Sequence, residues 1–307
     1  MIGFADIDLR LLRVFVVVAR SGGFTAAEAA LNLSQSTISN HMTALEQRLG
    51  YKLCRRGRSG FQITDKGWVV LHSAERLFSA IDSYRQSVHT IKATLSGEFR
   101  LGIIDNITAD PRCPLIEAFR LFNLRDHAVT FSIKMLAPKD LQMSVLDGSL
   151  HMGIGYFPKK ITGLKYQKLY TENHNLYCGY GNPLFKLDAK EVTFEKIREN
   201  KIIAKDYLDL KDIAMLGFSS ADARVNEIET ELMLILSGSY LGYLPEHVAL
   251  RWLAKGMLRR LMGEELDFHI PIQLITPKGV SVAPATDAFQ TDLLSANSQI
   301  NPAAKDS

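Results

Sequence analysis

The sequence predicts an all-α N-terminal module continued by a long helix, and then a C-terminal α/β region. Three observations point there. Apolar residues recur at helical spacing through roughly the first 50 positions, a heptad series runs from Val70 to Leu95, and from Phe99 onward short apolar runs alternate with amphipathic segments. With 307 residues, 47% of them apolar and 22% charged, the chain can form more than one packed core. Its formal charge is only +3, but the distribution is uneven: through position 66, nine Lys/Arg stand against five Asp/Glu, while the remainder is close to balance. An anionic partner is therefore expected on the first fifth of the chain.

The N-terminal elements can be read from caps and periodicity. Asp8 can cap a helix with Leu9, Leu12, Val16 and Ala19 on one face, stopped by Ser21-Gly22-Gly23. Thr25-Ala26-Ala27-Glu28 reads as a capping box opening a second, Ala-rich helix that ends at Asn32, a residue tolerant of the left-handed turn. Ser34 then caps a third helix, whose buried face is Ile38, Met42, Leu45 and Leu49. Two helices joined by about four residues form a helix-turn-helix. The opposite face of the third helix carries Ser36, Asn40, Thr43 and Gln47, flanked by Gln35 and Ser39. Such short hydrogen-bonding groups suit base edges in a major groove, although the same pattern alone could be a merely solvated face. The segment after Gly50 favours the groove. Leu53 to Ile63 reads as two short strands around a Gly-containing tip bearing Arg55, Arg56 and Arg58, a wing able to lie along phosphates.

From Leu9 to Gly67 the chain resembles the DNA-binding domain of LysR-type transcriptional regulators. The resemblance rests on Phe24-Thr25-Ala26-Ala27, Leu33-Ser34-Gln35-Ser36, Leu45-Glu46, Leu49-Gly50 and Ile63-Thr64-Asp65-Lys66-Gly67 in the family's order and spacing. It implies that the helix from Ser34 enters the major groove and that the wing touches the adjacent backbone. Ser36 and Asn40 stand where the family often has Pro and Arg, so base preference does not carry over.

Thr64 can cap a long helix whose Val70, Ala74, Leu77, Ile81, Tyr84, Val88, Ile91 and Leu95 recur at alternating steps of four and three, a seam suited to a two-stranded coiled coil. At about 1.5 Å per residue the helix reaches roughly 45 Å. The resemblance agrees, implying a homodimer through this linker and a homotetramer through the sensing domains, and because the seam pairs two identical readers a partly palindromic site on double-stranded DNA is expected. The expected organisation is 1-66 for the winged helix-turn-helix, 67-96 for the coiled-coil linker, 97-296 for the α/β domain and 297-307 for a disordered tail.

In the α/β region, strands are expected near 100–104, 129–136, 152–154, 176–178, 201–204, 240–244 and 270–275, with helices between them and parallel sheets joined by crossovers. This half resembles the effector-binding domain of LysR-type regulators through Gly97-Glu98-Phe99-Arg100-Leu101-Gly102, Leu146-Asp147-Gly148-Ser149-Leu150 and Gly238-Ser239-Tyr240-Leu241-Gly242-Tyr243-Leu244-Pro245. The likeness implies a periplasmic-binding-protein-like pair of subdomains, I being 97-163 with 268-296 and II 164-267, and a small-molecule effector between them. His151 stands where the family usually has aspartate. Strand ends in such folds face the ligand, which nominates Asp105, Asn106 and Thr108, Ala137, Ser219 with Ser220, and His269. Asn and Thr after a strand also serve as helix caps, and His151, His174 and His269 could be ordinary surface or core histidines. Asp105 disfavours an anionic effector unless turned away or protonated.

Other classes fare worse. No phosphate-binding Gly loop, nucleophile elbow or metal-ligand spacing marks an enzyme, and no cofactor or metal is expected. A solute-binding transport protein is disfavoured by the basic N-terminal module and the lack of a signal peptide. Cys54, Cys113 and Cys178 are scattered, which fits free thiols in a reducing compartment and gives a thiol redox sensor little support. The only apolar run near the start, Val14 to Ala19, is too short for a signal peptide or membrane span, so the expectation is a cytoplasmic regulator without a membrane partner.

Overall fold

A computed structural model describes residues 6–57, 60–89, 95–279 and 282–302. The chain divides into two units, Met1–Arg85 with Asp147–Ser149, and Gln86–Leu146 with Leu150–Ser307. No described helix is long and apolar enough to cross a membrane.

In the first unit, α1 (Asp6–Arg20), α2 (Phe24–Leu31) and α3 (Gln35–Leu49) pack around Phe15, Val18, Ala27, Ile38, Met42 and Leu45. The hairpin of β1 (Cys54–Gly57) and β2 (Gly60–Ile63) comes next, with Arg56 paired to Phe61 across the ladder. Then α4 (Asp65–His89) begins, its Gly67 amide donating to Thr64 Oγ1 at 2.9 Å as a cap requires. Gly67 itself is dictated by crowding, because a Cβ there would lie 2.0 Å from the Leu53 carbonyl oxygen.

Two expected caps are used differently. Asp8 lies inside α1, and its buried carboxylate takes a two-pronged bond from Arg48 (Nη2 to Oδ2, 2.9 Å), tying α1 to the end of α3. Thr25 is not a cap, since α2 begins at Phe24 after Gly23. Glu28 instead accepts the Gln35 amide at 2.6 Å, fastening α2 to the start of α3. The seam on α4 also needs correction. Ala74 is already buried and Val70 packs on the unit's own core, Leu95 belongs to a strand, and Ile91 lies outside the described residues. The linker helix thus ends before 95, where the apolar series continues only because a strand begins.

The second unit is built on a mixed nine-stranded sheet: β3 (Leu95–Ile103), β4 (His127–Met135), β5 (Met152–Gly155), β6 (Leu164–Gly179), β7 (Lys201–Lys205), β8 (Ala223–Val225), β9 (Tyr240–Pro245), β10 (Leu258–Arg260) and β11 (Phe268–Pro277). Its order is β4-β3-β5-β11-β6-β9-β7-β8, with β10 also on β6. The expected parallel pairs are there, β3 with β4 and β5, and β7 with β8 and β9. Two long strands, β6 and β11, run antiparallel to each other through the middle. Periodicity reveals only the apolar end of β6, because polar alternation in Lys165 to Asn175 resembles a loop, and it misses β8 and β10, which at 3 residues each are too short to show a pattern.

Helices α5 (Leu115–Phe122), α6 (Pro138–Leu146), α7 (Phe194–Arg198), α8 (Lys211–Ala214), α9 (Ile228–Leu236), α10 (Glu246–Ala254) and α11 (Pro284–Ile300) cover the faces. One half centres on Phe99, Phe119, Phe122, Phe131 and Phe289, the last standing 4.8 Å from both Phe99 and Phe119 between ring centroids. In the other half, period-two alternation feeds two cores: Leu176, Ile202 and Tyr243 on one face, Tyr177, Ile203 and Leu244 on the other. Leu169 and Tyr170 belong to the first half and Leu176 and Cys178 to the second, so the chain crosses within β6 rather than near Gly163. Nor does a disordered tail start at 297: α11 runs to Ile300 with Asn297 buried, and Asn301 Nδ2 donates to the Arg112 carbonyl at 2.9 Å. Positions 303–307 lie outside the described residues.

Replacing Phe289 by Ala removes the shared ring of the aromatic cluster, and chemical denaturation followed by tyrosine fluorescence is expected to show a loss of about 3–5 kcal/mol.

Candidate functional site

Helix α3 is held as a rigid presenting element. Ser34 Oγ accepts the Thr37 amide at 3.3 Å, and Gly50 closes the C-terminus in the left-handed region at φ 80°. Buried Glu46 accepts the Leu53 amide at 2.8 Å and Lys52 Nζ at 2.7 Å, fixing the helix to the root of the hairpin. With Ile38, Met42 and Leu45 inward, Gln35, Ser36, Asn40, Thr43 and Gln47 are exposed, and Ser39 is half-buried between them. Thr43 Oγ1 donates to the Ser39 carbonyl at 2.9 Å, so that hydroxyl retains acceptor capacity outward. Arg55 is exposed on β1. Arg58, and the side chain of Arg56, lie outside the described residues.

The second unit encloses a cleft of about 460 Å³ where the C-terminal ends of β3, β4 and β5 face those of β7, β8 and β9. Asn106 and Ala137 line it. Asn106 adopts φ 54°, which its short polar side chain tolerates, and this turn aims Asp105 and Asn106 across the opening. The other expected contacts point elsewhere. Thr108 sits exposed in the single-turn helix just beyond, and Ser219 is exposed beyond α8. His269, also exposed, pairs through Nδ1 with Asn173 Oδ1 at 2.9 Å on the neighbouring strand. His151 is a satisfied group: its Nδ1 accepts the Arg100 amide at 3.1 Å, and burial and then nearby Arg100 hold its pKa at about 3.

Apart from Asp105, the acidic lining of the cleft carries no signal in the sequence. Glu172, 4% exposed in mid-β6, takes a hydrogen bond from His174 Nε2 at 2.7 Å on Oε2 and keeps Oε1 toward the cleft. Burial lowers the His174 pKa, so the ring is the neutral donor. Asp105 Oδ2 accepts the Ile228 amide at 2.6 Å, capping α9 from the opposite half, and burial holds its pKa above the ordinary carboxylate range despite that bond. His247 bonds the Asn106 carbonyl through Nε2 at 3.1 Å, which leaves Nδ1 without a hydrogen-bond partner, 3.5 Å from Asp110 and 3.9 Å from Glu172. Asp110, Glu172 and His247 have metal-like spacing, yet Asp110 is already saturated by a two-pronged 2.8 Å pair with Arg112. A guanidinium occupies the place of a metal's charge.

Residues 9–68 match the bacterial regulatory helix-turn-helix protein, lysR family, and residues 92–297 match the LysR substrate binding domain. The chain belongs to the LysR family. Over 276 residues it is 36% identical to the HTH-type transcriptional activator BauR of Pseudomonas aeruginosa, covering 90% of each chain. Among solved structures, the LysR family regulator CbnR is similar at 18% identity over 94% of this chain and 99% of that one, with a TM-score of 0.63. Full-length CbnR complexed with its target DNA gives 20% identity, the same coverages and a TM-score of 0.61. These two share the fold. As a LysR-type chain the protein is a DNA-binding transcriptional regulator with an effector-binding domain.

Asp105 offers a test of the cleft's electrostatics. Because its folded pKa is raised, its contribution to stability is present at acid pH and lost as pH rises through the raised value. Denaturation across pH is expected to show Asp105→Asn, which keeps an acceptor for Ile228, gaining on the wild type as pH rises. Asp105→Ala, which leaves that amide unpaired, is expected to lose about 1–2 kcal/mol.

Proposed function

We propose that α3 lies in the major groove with Gln35, Ser36, Ser39, Asn40 and Thr43 toward base edges, while Arg55, Arg56 and Arg58 of the wing meet adjacent phosphates. The observation that carries this reading is a helix locked at both ends whose outward face is an uninterrupted row of uncharged donors and acceptors. No Lys or Arg lies among those five groups, so affinity is assigned to the wing and specificity to the helix. Two copies pair through the outer part of α4, where Leu77 and Ile81 are half-buried and Tyr84 is 70% exposed. The reading also includes a cytoplasmic location, a partly palindromic operator and tetramers formed through the effector-binding domains.

In the same reading, a small molecule binds the cleft beside Asn106 and Ala137 and favours one relation of the two halves, which alters how the assembly meets DNA. Asp105 to Ile228 and Asn106 to His247 both cross the cleft, so an occupant that bonds differently to these groups shifts that equilibrium. A thiol-switch reading has less support: all three cysteines are buried and none is in a disulfide, and burial pushes Cys113 up to about 11 and Cys178 to about 12, keeping both as thiols at neutral pH.

Arg55→Ala is expected to weaken binding to every duplex and lower the salt slope by about one, whereas Asn40→Ala changes preference at one position by about 1–3 kcal/mol. Fluorescence anisotropy against matched and scrambled duplexes separates the two, and an unaltered salt slope in Arg55→Ala would remove the wing from the interface. Ile81→Asp is expected to dissociate the α4 dimer in sedimentation and weaken operator binding with it; an intact dimer with unaltered affinity would place the contact elsewhere.

A further inference from the structure

The cleft is lined by four carboxylates, Asp105, Asp140, Glu172 and Glu227, and among the described residues no Lys or Arg lines it. Three helices, α6, α9 and α10, present their N-termini there through Pro138, Ile228 and Pro245. At roughly +0.5 charge each, they offset no more than about 1.5 of the four negative charges. Even with Asp105 protonated, the cleft stays negative by more than a full charge. One of these carboxylates is held by the fold: Glu172 is 4% exposed, its Oε2 takes the His174 bond, and its Oε1 accepts no hydrogen bond among the described residues, with His247 Nδ1 3.9 Å away. An unpartnered carboxylate oxygen at the wall of a cavity is an unmet demand for a donor.

A second observation agrees with this. Tyr156, just past β5, and Tyr207, just past β7, meet from opposite halves with ring centroids 6.4 Å apart in an edge arrangement. Both line the cleft beside the carboxylates. Burial is the main cause that holds the Tyr207 hydroxyl well above its ordinary pKa, and Glu231, Glu172, Asp105 and Asp212 add to it. Aromatic faces flanked by acids select an ammonium group over a carboxylate.

We infer that the effector is an organic cation, a small molecule carrying a protonated amine, with Glu172 as its counter-ion and Tyr156 and Tyr207 packed beside its charge. The inference rests on the assignment of this cleft as the effector site. An anion would instead face these carboxylates with only neutral donors in its favour, the side chains of Asn106, Asn226, Tyr156 and Tyr207 and the helix amides, of which the one at Ile228 is already taken by Asp105.

Full-length protein titrated with butane-1,4-diamine, butylamine and butyrate, each up to about 10 mM and followed by calorimetry and thermal melting, tests the sign of the charge. The amines are expected to bind and raise the melting temperature, and butyrate is expected to do neither. Glu172→Gln should weaken the diamine about tenfold or more, the loss of one charge-assisted bond. Asp140→Asn, at an exposed position where folding is not at stake, should weaken it severalfold. Ala137→Trp, which fills the cleft, should abolish it. Butyrate bound in place of the amines and blocked by Ala137→Trp would overturn the cationic assignment and leave the cleft as the effector site. Diamine binding untouched by all three substitutions would overturn both, and an absence of any amine-dependent heat or melting shift would overturn the inference.

Discussion

The antiparallel ladder between β6 and β11 is the constraint on which the effector-binding unit depends. From Leu164 opposite Pro277 to His174 opposite Phe268, with one register shift at Ile272/Gln273, these two strands carry the chain between two cores. Every other strand hangs from them. The parallel strands of one half reach the ladder through β5 on β11, and those of the other through β9 on β6. Because the two sets of parallel strands point their C-terminal ends at the same gap, a cleft is a consequence of the topology rather than of any one side chain. Glu172 lies near the middle of β6, opposite Ile270 and close to the end of the ladder, which explains how a carboxylate can be both buried and turned to the cleft.

The N-terminal module was legible in detail because its signals are local. Ser34, Asn32 and Thr64 each fix a cap or a turn through their nearest neighbours, and the structure uses all three as the residue types demand. Asp8 and Glu28 also have the right chemistry for caps but spend it on Arg48 and on the Gln35 amide. Tertiary partners won over local ones there, and spacing alone cannot reveal that. The heptad series misled at both ends: the inner positions are drawn onto the module's own core, and Leu95 keeps the register by coincidence inside β3.

The cleft was half legible. Strand-end logic reached Asn106 and Ala137, since both come just after strands that apolar content made visible. It failed for Thr108, one helical turn too far, and for Ser219, which comes after a helix rather than a strand. His269 failed for a different reason: on β11 side chains alternate, and Ile270 faces the cavity instead. Glu172 and Tyr207 were hidden because polar residues inside a long central strand, and a tyrosine after a short one, carry no periodic signature. Only the fold brings them opposite Asp105.

Two hydrogen bonds cross that gap, Asp105 to the Ile228 amide and His247 to the Asn106 carbonyl, and in the proposed reading they couple what occupies the cleft to how its walls are held. Residue-resolved amide hydrogen exchange on the full-length protein, with and without saturating butane-1,4-diamine, measures that coupling directly. The account predicts slowed exchange confined to positions 104–106 and 226–228, with the β6–β11 ladder unaltered. Protection gained in other segments while these two stay unaltered would contradict it.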